Sequence, residues 1–351
     1  MQIVKGNEIT MTLRLWLSIC GLWLGSPALF AQYTLEYSTN GNDIILTDYT
    51  GAPVNVAVPY FVTSIGEGAF SFCTNLINIT IGDSVTNIEN YAFQESSLVN
   101  VNIPNSVTSI GNWAFSSCLS LTNVIIGSSV TNIGYDDSAF NGCTSLANIL
   151  VNSNNPAFSS VNGVLFNQNQ TTLLQYPGGR TGSYTIPGTV TTIGNVPFFN
   201  SLNLTSVIIP RSVTRIGDEA FYGCLNLAGV FFQGNAPTEY LSAFGSTSAR
   251  AYYLQGTTGW NSFSANTGVP AVLWDPLIQT GGSSPGISNN QFGFTIINGS
   301  TTNIPIAVVT CTNLAAPIWT PITNLMLTTS FHFSDPAWTN YPVQFYSIGF
   351  P

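Results

Sequence analysis

Apolar and polar positions along this chain follow a phrase that returns about every 23 residues. Val62-Thr-Ser-Ile-Gly-Glu-Gly-Ala-Phe70 comes back as Val85–Phe93, Val107–Phe115, Val130–Phe140, Val190–Phe198 and Val213–Phe221. The Phe-to-Phe intervals are 23, 22, 25, 58 and 23. A fixed period in the twenties is the signature of a solenoid and outweighs any local reading of helix or strand. Each phrase continues alike: Phe70 is followed by Cys73, Leu76, Ile79 and Ile81, and Phe115 by Cys118, Leu121, Val124 and Ile126. Phe140 leads to Cys143, Leu146, Ile149 and Val151, and Phe221 to Cys224, Leu227, Val230 and Phe232. The L-x-x-V-x-I stretch alternates as a strand with its β-branched residues facing in. V-T-x-I-G reads as a second short strand ending in a glycine turn, and Ala-Phe-x-x-Cys has room for one helical or 3-10 turn.

A single repeat buries too few large side chains to offset the entropy of ordering it, so neighbouring coils must share a core and a hydrogen-bond ladder. Six to seven coils at about 4.8 Å predict a rod roughly 30 Å long. The unit I(P)-x-S-V-T-x-I-G-x-x-A-F-x-x-C-x-x-L resembles the BspA-like, or treponemal-type, leucine-rich repeat, over about residues 58–232 in six copies. The resemblance implies a bacterial surface or secreted protein with strands stacked along the solenoid. It also implies a role in adhesion or in binding host or matrix components.

The 58-residue interval holds about 35 extra residues. Gly163–Phe166, a turn at Asn167–Gln170 and Thr171–Pro177 predict an irregular coil with a projecting hairpin at about 152–180. Solenoid ends expose apolar core and need caps. Residues 32–57 suit the N-terminal cap, with a turn at Asn40-Gly41-Asn42-Asp43, and 233–275 the C-terminal cap, with Trp260 and Trp274 as plugs. The solenoid itself spans 58–232. Gly- and Ser-rich residues 276–286 read as a linker, and 287–351 as a small β-sandwich-like module. Its strand candidates are Phe292–Ile297, Ile304–Cys311, Phe331–Ser334 and Gln344–Ile348. The fold class is thus mainly β.

The front end changes the picture. Arg14 followed by the 11-residue apolar run Leu15–Gly25 and small residues predicts a signal peptide over 1–31, cleaved at Ala31-Gln32. That run is too short to span a bilayer, and no later run reaches 18 apolar residues. Only 6% of residues are charged. Removing 1–31 leaves four arginines against fourteen acids, a formal charge of −10. Scattered cations cannot neutralise phosphates, which excludes nucleic-acid binding.

Chemistry-bearing residues are sparse. His332 lies in Phe331-His-Phe333 with no nucleophile motif beside it. Glu67, Asp218 and Glu219 read as solvation of a bend, and Asp136-Asp137 as a solvated loop, with a weak Ca²⁺ contact as the rival. Cys73, Cys118, Cys143 and Cys224 share a repeat slot with Ser96 and Ser201. That swapping predicts a small donor aimed at a backbone carbonyl, with a Cys118–Cys143 disulfide as the rival. Phe70, Phe93, Phe115, Phe140, Phe198 and Phe221 are repeat core positions. No cofactor or metal is expected, nor is catalysis. Two surfaces could bind. Asn78, Asn100, Asn123 and Asn148 form an outward row on the sheet face, suited to sugars or an extended chain, or simply pairing with one another. Trp319, Trp338 and Tyr341 form a possible sugar platform in the C-terminal module, or its core. The expected function is a non-catalytic, exported binding or adhesion protein with a protein or glycan partner. The alternatives are carbohydrate binding through the C-terminal module, or a spacer in a surface assembly.

Overall fold

The computed structural model describes residues 11–14, 33–52, 54–239, 242–281, 285–288, 291–341 and 343–351. The expected signal peptide and its cleavage point lie outside these, apart from Met11–Arg14, a strand antiparallel to Thr34–Tyr37. The chain winds into a mainly β solenoid of about 10 turns. This exceeds six to seven because the N-terminal hairpin, the insertion and the C-terminal cap each add coils to the six clear repeats.

Each coil has three sides, and a ladder runs along every one. The V-T-x-I-G strands are two residues long. Ser64–Ile65, Asn87–Ile88, Ser109–Ile110 and Asn132–Ile133 pair in parallel register. The repeat Thr explains its own recurrence here. Thr86, Thr108 and Thr131 each donate a backbone N–H to the Thr carbonyl of the coil before, at 2.8–2.9 Å. Each then adds a hydroxyl bond to the same oxygen, at 3.2–3.4 Å. The L-x-x-V-x-I strands form the second side, the face sheet: Asn55–Ala57, Asn78–Thr80, Asn100–Ile103, Asn123–Ile126 and Asn148–Val151. They too are parallel and in register. The third side is the arc carrying Ala-Phe-x-x-Cys, where Phe70, Phe93 and Phe115 donate N–H to Ala92, Ala114 and Ala139 at 2.7–2.8 Å.

Parallel register at one-coil spacing places like residues on top of one another. The repeat phenylalanines therefore stack. Phe70–Phe93, Phe93–Phe115 and Phe115–Phe140 have centroids 5.1, 5.0 and 5.5 Å apart with planes within 15°. A second stack runs Tyr176–Phe198–Phe221–Phe244 at 5.0, 4.7 and 5.0 Å. Tyr49 starts the first column beside Phe70. Phe263, in the helix Trp260–Thr267, closes the second edge-on against Phe244. Phe244 is a seventh repeat phenylalanine, 23 residues after Phe221, inside the stretch read as cap.

The two stacks belong to two cores joined by the insertion, and here the expected projecting hairpin is corrected. Phe158–Val161, Val164–Asn167 and Thr172–Gln175 form an antiparallel meander whose last strand pairs in parallel with Thr192–Ile193. Val164, Leu165, Phe166 and Leu173 are fully buried. Alternation sends Leu165 into the first core and Val164 and Phe166 into the second. The meander is a splice because it carries apolar residues on both faces. Asn155 pins its start: its amide donates to the Gly127 and Val130 carbonyls and accepts from the Ala157 and Phe158 amides, all at 2.8–2.9 Å.

Beyond the splice, the face sheet resumes with Gly182–Thr185, Leu204–Ile209, Gly229–Phe232, Arg250–Leu254 and Ala271–Trp274. The C-terminal module is two packed sheets. Gln291–Asn298 pairs with Pro276–Ile278, Gly286–Ser288 and Ser330–Asp335. Ile304–Cys311 pairs with Thr320–Leu327 and Phe345–Gly349. The expected linker 276–286 thus holds the strand Pro276–Ile278 and the first residue of Gly286–Ser288, both too short to stand out by composition. Trp274 also departs from its expected role. Trp260 does plug the solenoid, stacked 4.8 Å from Tyr253. Trp274 turns outward instead, its indole N–H donating to the Pro305 carbonyl at 2.8 Å.

Two outcomes are expected. Phe115→Ala, in mid-stack, should lower stability by about 3–5 kcal/mol in urea titration. Asn155→Ala, which strands two buried carbonyls and two amides, should lower it by on the order of 3 kcal/mol.

Candidate functional site

The asparagine row lies where alternation places it, outward on the face sheet, and it is longer than expected because Asn55 extends it. Asn78 Nδ2 donates to Asn55 Oδ1 at 2.7 Å, Asn123 to Asn100 at 3.0 Å and Asn148 to Asn123 at 3.1 Å. The amides pair with one another, and doing so sets their orientation. An amide has two N–H donors and two lone pairs, so each still has hydrogen-bonding capacity to offer. Asn55, Asn78 and Asn100 are exposed, while Asn123 and Asn148 are half-buried. The row stops at Asn148 because Gly163 follows at φ +77°, where a Cβ would sit 2.6 Å from Asn148 Oδ1.

A second outward row runs beside it, four positions after each repeat Leu: Thr80, Asn102, Ile125, Leu150, and beyond the splice Ile208 and Phe231. Ile125 and Leu150 are 45% and 46% exposed. Ile208, Phe231, Tyr252 and Val272 are instead covered by the C-terminal module and share its core with Phe294, Ile306 and Val308. Phe350 packs 4.8 Å from Phe231 and 4.4 Å from Trp274. Gly229 occupies the asparagine slot at this point because a Cβ there would lie 2.9 Å from the Phe231 ring. A cleft of about 540 Å³ remains along the seam, floored by Phe231 and Tyr252 and edged by Ser206, Arg250, Asn324 and Met326. Burial raises the Tyr252 phenol above its ordinary value, against the pull of Arg250. The sequence signal for this covered face was the outward Phe231, an aromatic ring where earlier repeats carry Thr, Asn or an aliphatic residue.

The cysteine slot points into the coil. Cys118, Cys143 and Cys224 donate to the carbonyls of Phe93, Phe115 and Phe198, each at 3.0 Å. Cys73 reaches Ser71 O at 3.7 Å. All are free thiols, as is Cys311. Burial pushes Cys224 up to about 12, burial and then Asp48 push Cys73 up to about 11, and Cys118 together with burial pushes Cys143 up. Neutral thiols held this way are poor nucleophiles.

In the module, Trp319 and Tyr341 are exposed, and neither stacks on the other. Trp338 sits in the 3-10 turn Trp338–Asn340. The module's aromatic core is instead Phe292, Phe294, Phe333 and Tyr346. Tyr346 donates to the buried Asp335 carboxylate at 2.7 Å, and burial and that contact raise its phenol. His332 is exposed, 3.0 Å from Thr295 Oγ1. The side chains of Asp136 and Asp137 lie outside the described residues. Among the described residues no group of three or more His, Cys, Asp or Glu is placed to hold a metal ion.

A further cleft, of about 610 Å³, opens on the arc side. It is lined from coils on both sides of the splice, by Tyr91, Trp113, Ser138 and Asn141 on one side and Val196, Phe199 and Glu219 on the other. Its origin is a short coil. Eleven positions separate Ile193 from Leu204, but nine separate their register partners Leu173 and Gly182. That coil lacks the Gly-x-x-Ala-Phe turn, so the ridge its neighbours build is interrupted.

Six copies of the BspA type leucine rich repeat region match residues 50–174 and 179–266, more than half of the chain. The chain belongs to this family. Solved structures similar to this BspA-type protein include a leucine-rich repeat protein from Eubacterium ventriosum (24% identity, 62% of this chain and 76% of that one, TM-score 0.45). Others are the pneumococcal vaccine antigen PcpA (16%, 69% and 97%, 0.40) and a leucine rich cell surface protein from Faecalibacterium prausnitzii (22%, 73% and 95%, 0.38). No curated protein matches it. Among the described residues no helix is long and apolar enough to cross a membrane.

The thiols of this BspA-type protein give a pH dependence with a definite sign. Above the ordinary thiol value of 9 the unfolded chain ionises while Cys73, Cys143 and Cys224 stay neutral in the native protein. Stability should therefore be full below pH 9 and fall from there to about pH 12, read as a declining urea midpoint. A thiol reagent at pH 8 should leave the buried cysteines of the native protein unmodified and, after denaturation, titrate five thiols in residues 32–351, where five of the six cysteines of the sequence lie. Fewer than five would mean a disulfide.

Proposed function

We propose that this protein is a non-catalytic, exported binding protein of the bacterial cell exterior, and that the open half of its face sheet meets the partner. One observation carries the reading. Beyond the splice, this same face already holds a β module, through Ile208, Phe231, Tyr252 and Val272. Before the splice, the equivalent row ends in Ile125 and Leu150, still exposed beside the oriented asparagines. The strands of this face carry no charged residue and their amides are held in place by one another, so a partner gains apolar contact and amide hydrogen bonds without ordering the surface first. A protein or glycan of the host or matrix fits this surface. The predicted signal peptide supports export, and family membership supports a surface location.

The reading is tested by probing the intact chain on an array of matrix proteins and glycans at two salt concentrations. Binding should survive high salt, because the face carries no charge to screen. Ile125→Glu with Leu150→Glu should abolish it, at a stability cost of about 1–2 kcal/mol in total because the two carboxylates sit side by side on paired strands. Capture that is lost with salt and indifferent to these substitutions would defeat the proposal.

A further inference from the structure

The arc-side cleft is separate from the face sheet, and its construction is unusual. In several coils the residue two positions before the repeat Phe aims its backbone N–H along the solenoid axis, at the next coil. Tyr91 N–H donates to Asn112 O at 3.0 Å, and Val196 N–H to Asp218 O at 2.9 Å. That direction requires a left-handed backbone. The first repeat meets the requirement with Gly68 at φ +65°, the residue with the least steric objection. Four later repeats place Tyr91, Trp113, Val196 and Glu219 there, at φ +57°, +50°, +56° and +48°, whereas the Val130–Phe140 repeat has Ser138 in a 3-10 turn. A left-handed backbone is unfavourable for large or β-branched side chains. These four are residues that line the cleft.

A second observation is independent of the first. Ser138 and Asn141, 4% and 6% exposed, also line the cleft. Ser138 Oγ and Asn141 Oδ1 are buried with no hydrogen-bond partner among the described residues. Buried polar atoms are rarely left unpaired, and the residues that carry these two line a space large enough for a ligand.

We propose that this cleft binds a neutral oligosaccharide. Trp113, 41% exposed and stacked 5.4 Å from Tyr91, offers a flat ring to the CH face of a sugar. Phe199, stacked 5.6 Å from Tyr222, adds an aromatic surface on the opposite wall. Ser138 Oγ, Asn141 Oδ1 and the Glu219 carboxylate accept hydrogen bonds, while Gln94 and Asn141 also carry amide donors. A sugar hydroxyl both donates and accepts, so it satisfies such a mixed lining. A guanidinium or ammonium donates only and would leave the amide N–H groups facing donors. Asp218 and Glu219 oppose an anionic sugar, as does the chain's net charge of −9.

The test uses the intact chain on an array of neutral di- to tetrasaccharides, with acidic oligosaccharides and Lys/Arg-rich peptides alongside. At least one neutral oligosaccharide should bind. Trp113→Gly suits the left-handed backbone and should keep the fold while weakening that binding about tenfold or more; Asn141→Ala should weaken it about tenfold. Ile125→Glu with Leu150→Glu should leave it unchanged, which separates this site from the face sheet. The proposal is overturned if no neutral oligosaccharide binds, if binding ignores both cleft substitutions, or if the Trp113-dependent ligand is an acidic sugar or a cationic peptide. Partner capture by the face sheet can persist through each of these results, so the two readings fail separately.

Discussion

Parallel strands hydrogen-bond at about 4.8 Å, and aromatic rings stack at nearly the same distance. Both spacings have to hold together for this solenoid to exist. The Thr and Ala carbonyl ladders hold one coil above the next, and the repeat phenylalanines meet at 4.7–5.5 Å within the frame they make. Register is thereby fixed on three sides, and each further row follows from it. Thr doubles a backbone bond, Cys donates to the preceding coil's carbonyl, and Asn meets Asn. A chain with only 6% charged residues can be stable on these terms because its polar groups are satisfied by copies of themselves.

Repetition also makes each departure from it visible as a change in surface. The outward row turns apolar at Ile125 and Leu150, and where it continues through Ile208, Phe231, Tyr252 and Val272 the C-terminal module covers it. Module and solenoid then share a core through Phe231, Tyr252, Trp274 and Phe350. The module is therefore part of the folded unit, while Ile125 and Leu150 on the other side of the splice stay exposed.

The splice shows the same logic in the backbone. A coil two positions short on its arc still pairs on its other sides, because the meander of 158–175 carries apolar residues inward on both of its faces. What it omits is the ridge, and the gap is bordered by side chains from coils far apart in sequence. Strained backbone at Tyr91, Trp113, Val196 and Glu219 is tolerated since the ladders on every coil over-determine it.

The sequence by itself determined the period, the inward positions, the outward asparagine row and the thiol slot, because each of these follows from parallel register between adjacent copies. It was sufficient for the family as well, through the repeated V-T-x-I-G-x-x-A-F-x-x-C phrase. Only the tertiary structure decided what happens where copies are unlike or distant. It drew the hairpin of 152–180 into the core, turned Trp274 toward the module, made strands of 276–278 and 286–288, and left Trp319 and Tyr341 on the surface without joining them. It also brought Trp113 and Glu219 to one cleft across more than a hundred residues. Local periodicity carries information about the next coil and none about contacts that skip coils, so these features arise from the way the whole stack closes on itself.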